Sequence, residues 1–441
     1  MKERLVLLVR RAIYNLRGGF LVRPLVIALT LGCAGALLSW GEEAVPAMSS
    51  WVPAILFPSR SDPQVAQVIL AGIAASIMTV VSIVFAILLM TLTLASMQFS
   101  PRIILSFTRD RVTQWTLGIF LGTFLYCVAA LPAARSLPTP FSPVATVLGA
   151  VVLALACVCW LLFFIHHISQ AISVNQIVDK IASETEGVID EMMPSARRES
   201  SLRTQTPPAE LVFETAMPSP QSGYIRFIDL ARLLDLAKSY RVNVQVLRRV
   251  GQFVPAGVPL MAVSRAGRLP PAGRAALLGA FDLGPSRTLQ QDVEFGVLQI
   301  VDIALRAISP AVNDPTTAIN CIDQLSRILI RFASREPPDS LLYDLPGVPR
   351  VIVAWIEFER LADAAFEQIR LYSQGDVAVS LRLLRALGDI AATSLDPGLR
   401  GGLLERGRRI VSGCATRLGE PELAQLTARL HELEGTVAGE L

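Results

Sequence analysis

A chain of 441 residues with 52% hydrophobic and only 17% charged residues falls well short of the about 25% charge of a soluble globular protein, so part of it is built to lie in lipid. Its net charge of +3 is small and weighted to the N-terminus, and no Lys/Arg run interleaved with aromatics occurs, which excludes a nucleic-acid binder. Six cysteines without a CxxC pair and three histidines, two of them adjacent as His166 and His167, exclude a disulfide framework and a zinc-finger pattern. No metal or cofactor is expected.

Residues 1–23 form a basic segment with Lys2, Arg4, Arg10, Arg11, Arg17 and Arg23, and within it 2–17 alternates Arg with Leu, Val and Ile, as a helix lying in the membrane interface does. The apolar core begins only after this long basic region and no small-residue cleavage site follows, so a cleaved signal is rejected. The "TLGC" at 30–33 is no lipoprotein box, because Thr30 stands where an aliphatic residue belongs.

A membrane region is expected over 24–165. A helix needs about 20 apolar residues to cross roughly 30 Å of hydrocarbon, and the stretches near 24–40, 68–97, 115–134 and 143–165 qualify. Trp40, Trp51, Trp115 and Trp160 lie near the ends of these spans, the belt position of an amphipathic ring. Arg102, Arg109 and Arg111 follow the second span, whereas the other two loops hold only Arg60 and Arg135. Positive residues stay cytoplasmic, so the N-terminus and everything after 165 are predicted inside.

The second span is free of charge from Asp62 to Arg102, a stretch of about 58 Å at ~1.5 Å per residue and longer than a bilayer needs. Along it Ala75, Thr79, Ser82, Ala86, Leu89, Thr93 and Ser96 recur at alternating spacings of four and three, one stripe of a helix. Two readings stay open. In the weightier one the stripe packs closely against another helix, its hydroxyls bonding back to their own backbone. In the other it lines a neutral pore in a homo-oligomer, with Leu89 as a hydrophobic constriction. Gly118 and Gly122 form a GxxxG on the third span, a helix-association motif. No Asp, Glu, Lys, Arg or His falls inside the predicted spans, which argues against an ion-coupled pump.

Beyond the membrane, 166–210 is expected as a helical extension of the fourth span over 168–193, followed by a Ser/Pro-rich linker at 194–210. A small β-rich module is expected over 211–285, with strands at 223–229 and 242–248, a short helix at 229–239, and Gly251 and Gly257 at turns. The phrase "RVGQFVPAGVPLMAV" is similar to barrel-sandwich modules that carry biotin or lipoyl on a lysine. No lysine occurs in it, so a cofactor carrier is not expected. Residues 286–441 read as a helical domain, with runs near 287–309, 315–333, 355–373, 376–394, 400–417 and 420–436.

One polar knot interrupts these runs: "AISPAVNDPTTAIN" at 307–320. Asp314 before Pro315 is a helix start, the carboxylate capping free N–H groups and proline fitting the first turn. Pro310 ends the incoming helix and Asn313 tolerates unusual backbone. The structural reading of Ser309, Asn313, Asp314, Thr316 and Thr317 is a tight corner. The functional one is a polar ligand at the helix N-terminus, against which the charge of Asp314 argues for any anion.

The stretch "DVEFGVLQIVDIALRAISPAVNDPTTAINCIDQL" resembles the signature of bacterial predicted membrane proteins grouped as domain of unknown function 2254. "MQFSPRIILSFTRD" with "LGIFLGTFLYCV", and "GYIRFIDLARLLDLA", are similar to other segments of that family. The resemblance implies the same layout, a multi-span region followed by a cytosolic domain. It supplies no activity and no site residues. The residues themselves give the expected fold class: an α-helical integral membrane region of four transmembrane helices in the bacterial inner membrane, then a cytoplasmic α+β domain combining a small β module and a helical bundle.

No P-loop, GxSxG, HExxH or dinucleotide fingerprint occurs, so an enzyme is not expected. A homo-oligomeric channel-like protein with a cytoplasmic regulatory domain and a membrane-anchored sensor or scaffold both fit. The expected partners are the lipid bilayer and further copies of the chain, an unidentified protein partner stays open, and nucleic acid is not expected.

Overall fold

The computed structural model describes residues 22–45, 62–98, 111–135, 140–171, 173–193, 212–344, 347–394 and 396–438. The interfacial helix expected at 2–17, the linker at 194–210, Trp51, Arg60, Arg102 and Arg109 lie outside the described residues. The chain divides into two compact units, Met1–Ser173 and Val174–Leu441.

The first unit contains four long helices: α1 (Val22–Ala44), α2 (Pro63–Gln98), α3 (Arg111–Ala130) and α4 (Val144–Ala171). Each is long and apolar enough to cross a membrane, over Val22–Ala44, Pro63–Met90, Arg111–Ala133 and Val144–Gln170. Half of the α3 window is buried (50%), against 22%, 22% and 17% for α1, α2 and α4, so α3 is the hub on which the others pack.

Small residues let α1 approach it. A Cβ on Gly35 would lie 2.6 Å from the carbonyl oxygen of Tyr126, and Cβ atoms on Gly118 and Gly122 would lie 2.9 Å from Ile27 and 2.5 Å from Leu31. Toward α4, Thr116 accepts a bond from the Trp160 indole N–H at 2.8 Å, and the Tyr126 hydroxyl donates to the Thr146 carbonyl at 3.0 Å.

One helix runs past its expected end: nothing breaks α1 before Pro46, so it carries on through Glu42. The helix α4 includes His166 and His167. The expectation of spans without ionisable groups is corrected to that extent. Trp160, expected in the interfacial belt, lies ten residues before the end of the fourth candidate span and is bonded to Thr116. Glu42 is 1% exposed. Its carboxylate accepts from the Ala145 and Thr146 N–H groups at 2.8 and 3.1 Å and from the Thr146 hydroxyl at 3.0 Å. A side chain at the end of one span thus caps the start of another, satisfying donors that a helix N-terminus leaves open.

The second unit begins with α5 (Val174–Met192), which lies in the stretch 168–193 expected to be helical. Then come β1 (Thr215–Pro218), β2 (Gly223–Ile228), α6 (Leu230–Tyr240), β3 (Val244–Val246), β4 (Phe253–Val254), β5 (Pro259–Val263), α7 (Pro271–Leu278) and β6 (Phe281–Gly284). The remainder is α8 (Val293–Ala307), α9 (Pro315–Ala333), β7 (Leu341–Asp344), β8 (Val348–Ile352), α10 (Phe358–Tyr372), α11 (Val377–Thr393), α12 (Pro397–Cys414) and α13 (Glu420–Ala438).

The strands form a five-stranded sheet ordered β1-β5-β3-β8-β7 and a three-stranded sheet ordered β4-β2-β6. Val242, Val244 and Val246 are buried while Asn243 and Gln245 are half-exposed, the period-two pattern of a strand with one face in the core. Gly251 and Gly257 both take φ +86°, a conformation open to glycine at no steric cost. The stretch 286–441 is not purely helical, because β8 pairs with β3 in parallel and brings β7 with it into the larger sheet.

Aspartates begin five helices of this unit, α6, α8, α9, α11 and α12. Asp229, Asp292, Asp314 and Asp376 each accept the N–H three residues on, at 3.0, 3.0, 3.1 and 3.0 Å, and Asp396 accepts from Gly398 at 2.9 Å.

Candidate functional site

The stripe on α2 faces away from α3 and α4. Ile77, Val81 and Val84 are buried against Leu117 and Phe120 of α3 and Cys157 and Phe164 of α4. Ala75, Thr79, Ser82, Ala86, Leu89 and Thr93 are all exposed on the other side, Leu89 by 51%. The side chain of Ser96 lies outside the described residues.

The hydroxyls are satisfied locally. Thr79 donates to the Ala75 carbonyl at 3.1 Å, Ser82 to Met78 at 3.0 Å and Thr93 to Leu89 at 2.8 Å. Such back-bonding lets a polar side chain sit in an apolar medium or against another helix without an orphaned donor. Ile83, Phe85 and Met90 flank the stripe and are exposed as well. The α2 surface therefore offers a narrow small-and-hydroxyl band edged by large apolar side chains, without a charge.

Gly118 and Gly122 lie on a different surface, at the α1–α3 contact described above. They are thus occupied within one chain.

The corner at 307–320 is held by its own side chains. The Ser309 hydroxyl donates to the Arg306 carbonyl at 2.6 Å, and the Asp314 N–H closes onto the Ala307 carbonyl at 2.8 Å. Asn313 adopts φ +51°, the left-handed conformation that Asn tolerates best among side-chain-bearing residues. Asp314 accepts from the Thr317 N–H at 3.1 Å and the Thr317 hydroxyl at 2.6 Å, and these bonds pull its pKa below the ordinary carboxylate value. Thr316 is exposed. The arrangement uses the polar groups of the knot to turn the chain between α8 and α9.

What that turn delivers is a basic face on α9. Arg327 binds Glu186 at 3.0 and 2.5 Å and Asp179 at 2.8 Å. Arg331 grips Asp190 at 2.8 and 2.6 Å, and Arg335 reaches the same carboxylate at 2.7 Å. Arg331 first, then Arg335, hold the Asp190 pKa down. Asn320 donates to Asn175 at 2.6 Å, so α5 is zipped to α9 along its length. On the neighbouring side Gly296 of α8 meets Thr185 of α5 so closely that a Cβ would overlap the threonine hydroxyl.

None of these partners is singled out in the sequence reading. The spacing of Arg327, Arg331 and Arg335 at every fourth residue was the available signal. Glu42 carried none, because its partners lie about a hundred residues away on another helix.

These features define a protein with four candidate membrane helices followed by a mixed helical and sheet region. The chain belongs to the family described as "Predicted membrane protein (DUF2254)", whose profile matches residues 17–389. Similar relatives include an uncharacterized protein of Mycobacterium bovis and one of Mycobacterium tuberculosis, each 33% identical over 400 residues that cover 89% of this chain and 75% of the relative. No solved structure matches it significantly.

Proposed function

We propose that this is a channel-like homo-oligomer of the bacterial inner membrane, non-enzymatic, with its N-terminus and second unit in the cytoplasm. In this reading α2 lines a neutral pore between copies, Leu89 is the constriction, and the second unit regulates opening. The observation that carries it is the exposure of Ala75, Thr79, Ser82, Ala86, Leu89 and Thr93, on the side of α2 turned away from α3 and α4. An uncharged hydroxyl band with an apolar residue within it matches a pore that closes by dewetting. The orientation rests on Lys2, Arg4, Arg10, Arg11, Arg17 and Arg23 before the first span and on Arg102, Arg109 and Arg111 after the second.

A membrane-anchored sensor or scaffold is the second reading, supported by the back-bonded hydroxyls of Thr79, Ser82 and Thr93, which need no water. Purified protein in planar bilayers separates the two. The channel reading expects unitary currents that rise or lose their closed state with Leu89→Ser. Bilayers that stay silent for both proteins overturn it in favour of the scaffold.

A further inference from the structure

A cavity of about 40 Å³ opens in the second unit between the last residue of α5, the β2–α6 junction, the start of α8 and the segment joining β8 to α10. Much of its wall is apolar, with Ile228, Leu230, Val250, Val293, Val353 and Ile356. Its polar groups are already engaged, with one exception. Gln291 accepts from the Ile228 N–H at 3.0 Å and donates back to the Ile228 carbonyl at 3.3 Å. Asp292 caps α8 and is held by Arg287 at 2.8 and 2.7 Å. Glu294 accepts from Arg287 and from Arg360, both at 3.1 Å. The Trp355 indole N–H donates to the Asp339 carbonyl at 3.1 Å.

The exception is Arg249. Among the described residues its guanidinium makes no hydrogen bond or ion pair, although it lines the cavity and is half-buried. Its backbone is fixed: the Arg249 N–H donates to Gln252 at 2.9 Å, and Gly251 presses the loop against Asp292 so tightly that a Cβ would overlap the carboxylate. Burial first, then the like charge of Arg360, push its pKa below the ordinary guanidinium value, while the carboxylates of Glu294, Glu357 and Asp292 pull the other way without reaching ion-pair distance.

A half-buried guanidinium whose N–H groups meet no acceptor among the described residues gains from an acceptor that a ligand supplies. Its planar fork suits a carboxylate in bidentate geometry. The neighbouring carboxylates of Asp292 and Glu294 disfavour a dianion. At about 10–15 Å³ per water-sized site, the cavity takes roughly three such sites, enough for a short apolar tail and little more.

We propose that this cavity binds a short-chain monocarboxylate, its carboxylate paired with Arg249 and its tail against Val250, Val293 and Val353. The site goes beyond the channel reading and stands without it. Met192, the final residue of α5, forms part of the wall, so an occupied cavity touches the helix zipped to α9.

The test uses the full chain in detergent, with butyrate as probe and saturation-transfer NMR as readout, alongside 1-butanol and inorganic phosphate. Saturable butyrate binding is expected, weakened at least about tenfold by Arg249→Gln, with neither butanol nor phosphate competing at equal concentration. Val353→Phe, which fills the tail position and leaves the guanidinium untouched, is expected to abolish binding as well and serves if Arg249→Gln does not fold. Absence of saturable butyrate binding, undiminished binding by the folded variants, or equal competition by phosphate overturns the proposal.

Discussion

Replacing Gly296 by alanine tests how α5 is seated on α8. On helix propensity alone the change stabilises by about 0.8–1 kcal/mol, since glycine is the poorer helix former. The structure reverses that sign. The new Cβ would overlap the Thr185 hydroxyl and lie 2.9 and 3.0 Å from its Cγ2 and Cβ, and Thr185 is fully buried with its hydroxyl already donating to the Ile181 carbonyl at 2.6 Å.

Overpacking of a filled site costs about 1–3 kcal/mol, and losing the Thr185–Ile181 bond adds about 0.5–1.5 kcal/mol. Set against the propensity gain, the net is a destabilisation of about 2 kcal/mol, or a fall in Tm of roughly 4–8 °C for a domain near this size. Thermal unfolding of the full chain in detergent, followed by far-UV circular dichroism, reads it. Thr185→Ala introduced alongside removes the hydroxyl and Cγ2, so the double variant is expected to recover at least half of the loss. A single variant more stable than the wild type, or a double variant no better than the sum of its parts, would refute the packing argument.

Other perturbations follow from the same geometry. Asp314→Ala is expected to lower stability by about 1 kcal/mol at neutral pH through loss of the helix cap. Because the folded pKa of Asp314 is depressed, its stabilisation is full above the ordinary carboxylate range and is lost as pH falls through the lowered folded value, so wild type and variant should converge only in acid. In the membrane unit, Gly35→Ala should destabilise more than Gly122→Ala, since the first Cβ meets a backbone carbonyl at 2.6 Å and the second the movable end of Leu31 at 2.5 Å; equal loss of folded protein on detergent heating would contradict this. The Arg331–Asp190 pair is about 40% exposed on both sides, so a double-mutant cycle with Arg331→Gln and Asp190→Asn should give a coupling below about 1 kcal/mol that shrinks with salt. A large, salt-insensitive coupling would show that the zipper is desolvated in the assembled protein.

Much of this architecture is legible in the residues alone. Four apolar runs, the Val242–Val246 alternation and the Asp314–Pro315 helix start are local signals, and each reports a local structure. What escapes is non-local. The parallel pairing of β3 with β8, the cap that Glu42 supplies to α4, and the loop that carries Arg249 to Asp292 and Glu294 all join residues far apart in the chain. The end of α1 escapes for a related reason. The hydropathy of Glu42 marks it as outside a span, yet helical hydrogen bonding continues until a breaker or a cap intervenes.

A pore lined by α2 requires that copies of the chain meet through the exposed face of that helix. Mass measurement of the purified protein in detergent, with the bound detergent accounted for, addresses that directly. Particles holding several copies are predicted, and dispersing to single chains when Ser82 is replaced by a bulky charged residue would fit the α2 face as their contact. A particle of one chain under every mild detergent would contradict the account.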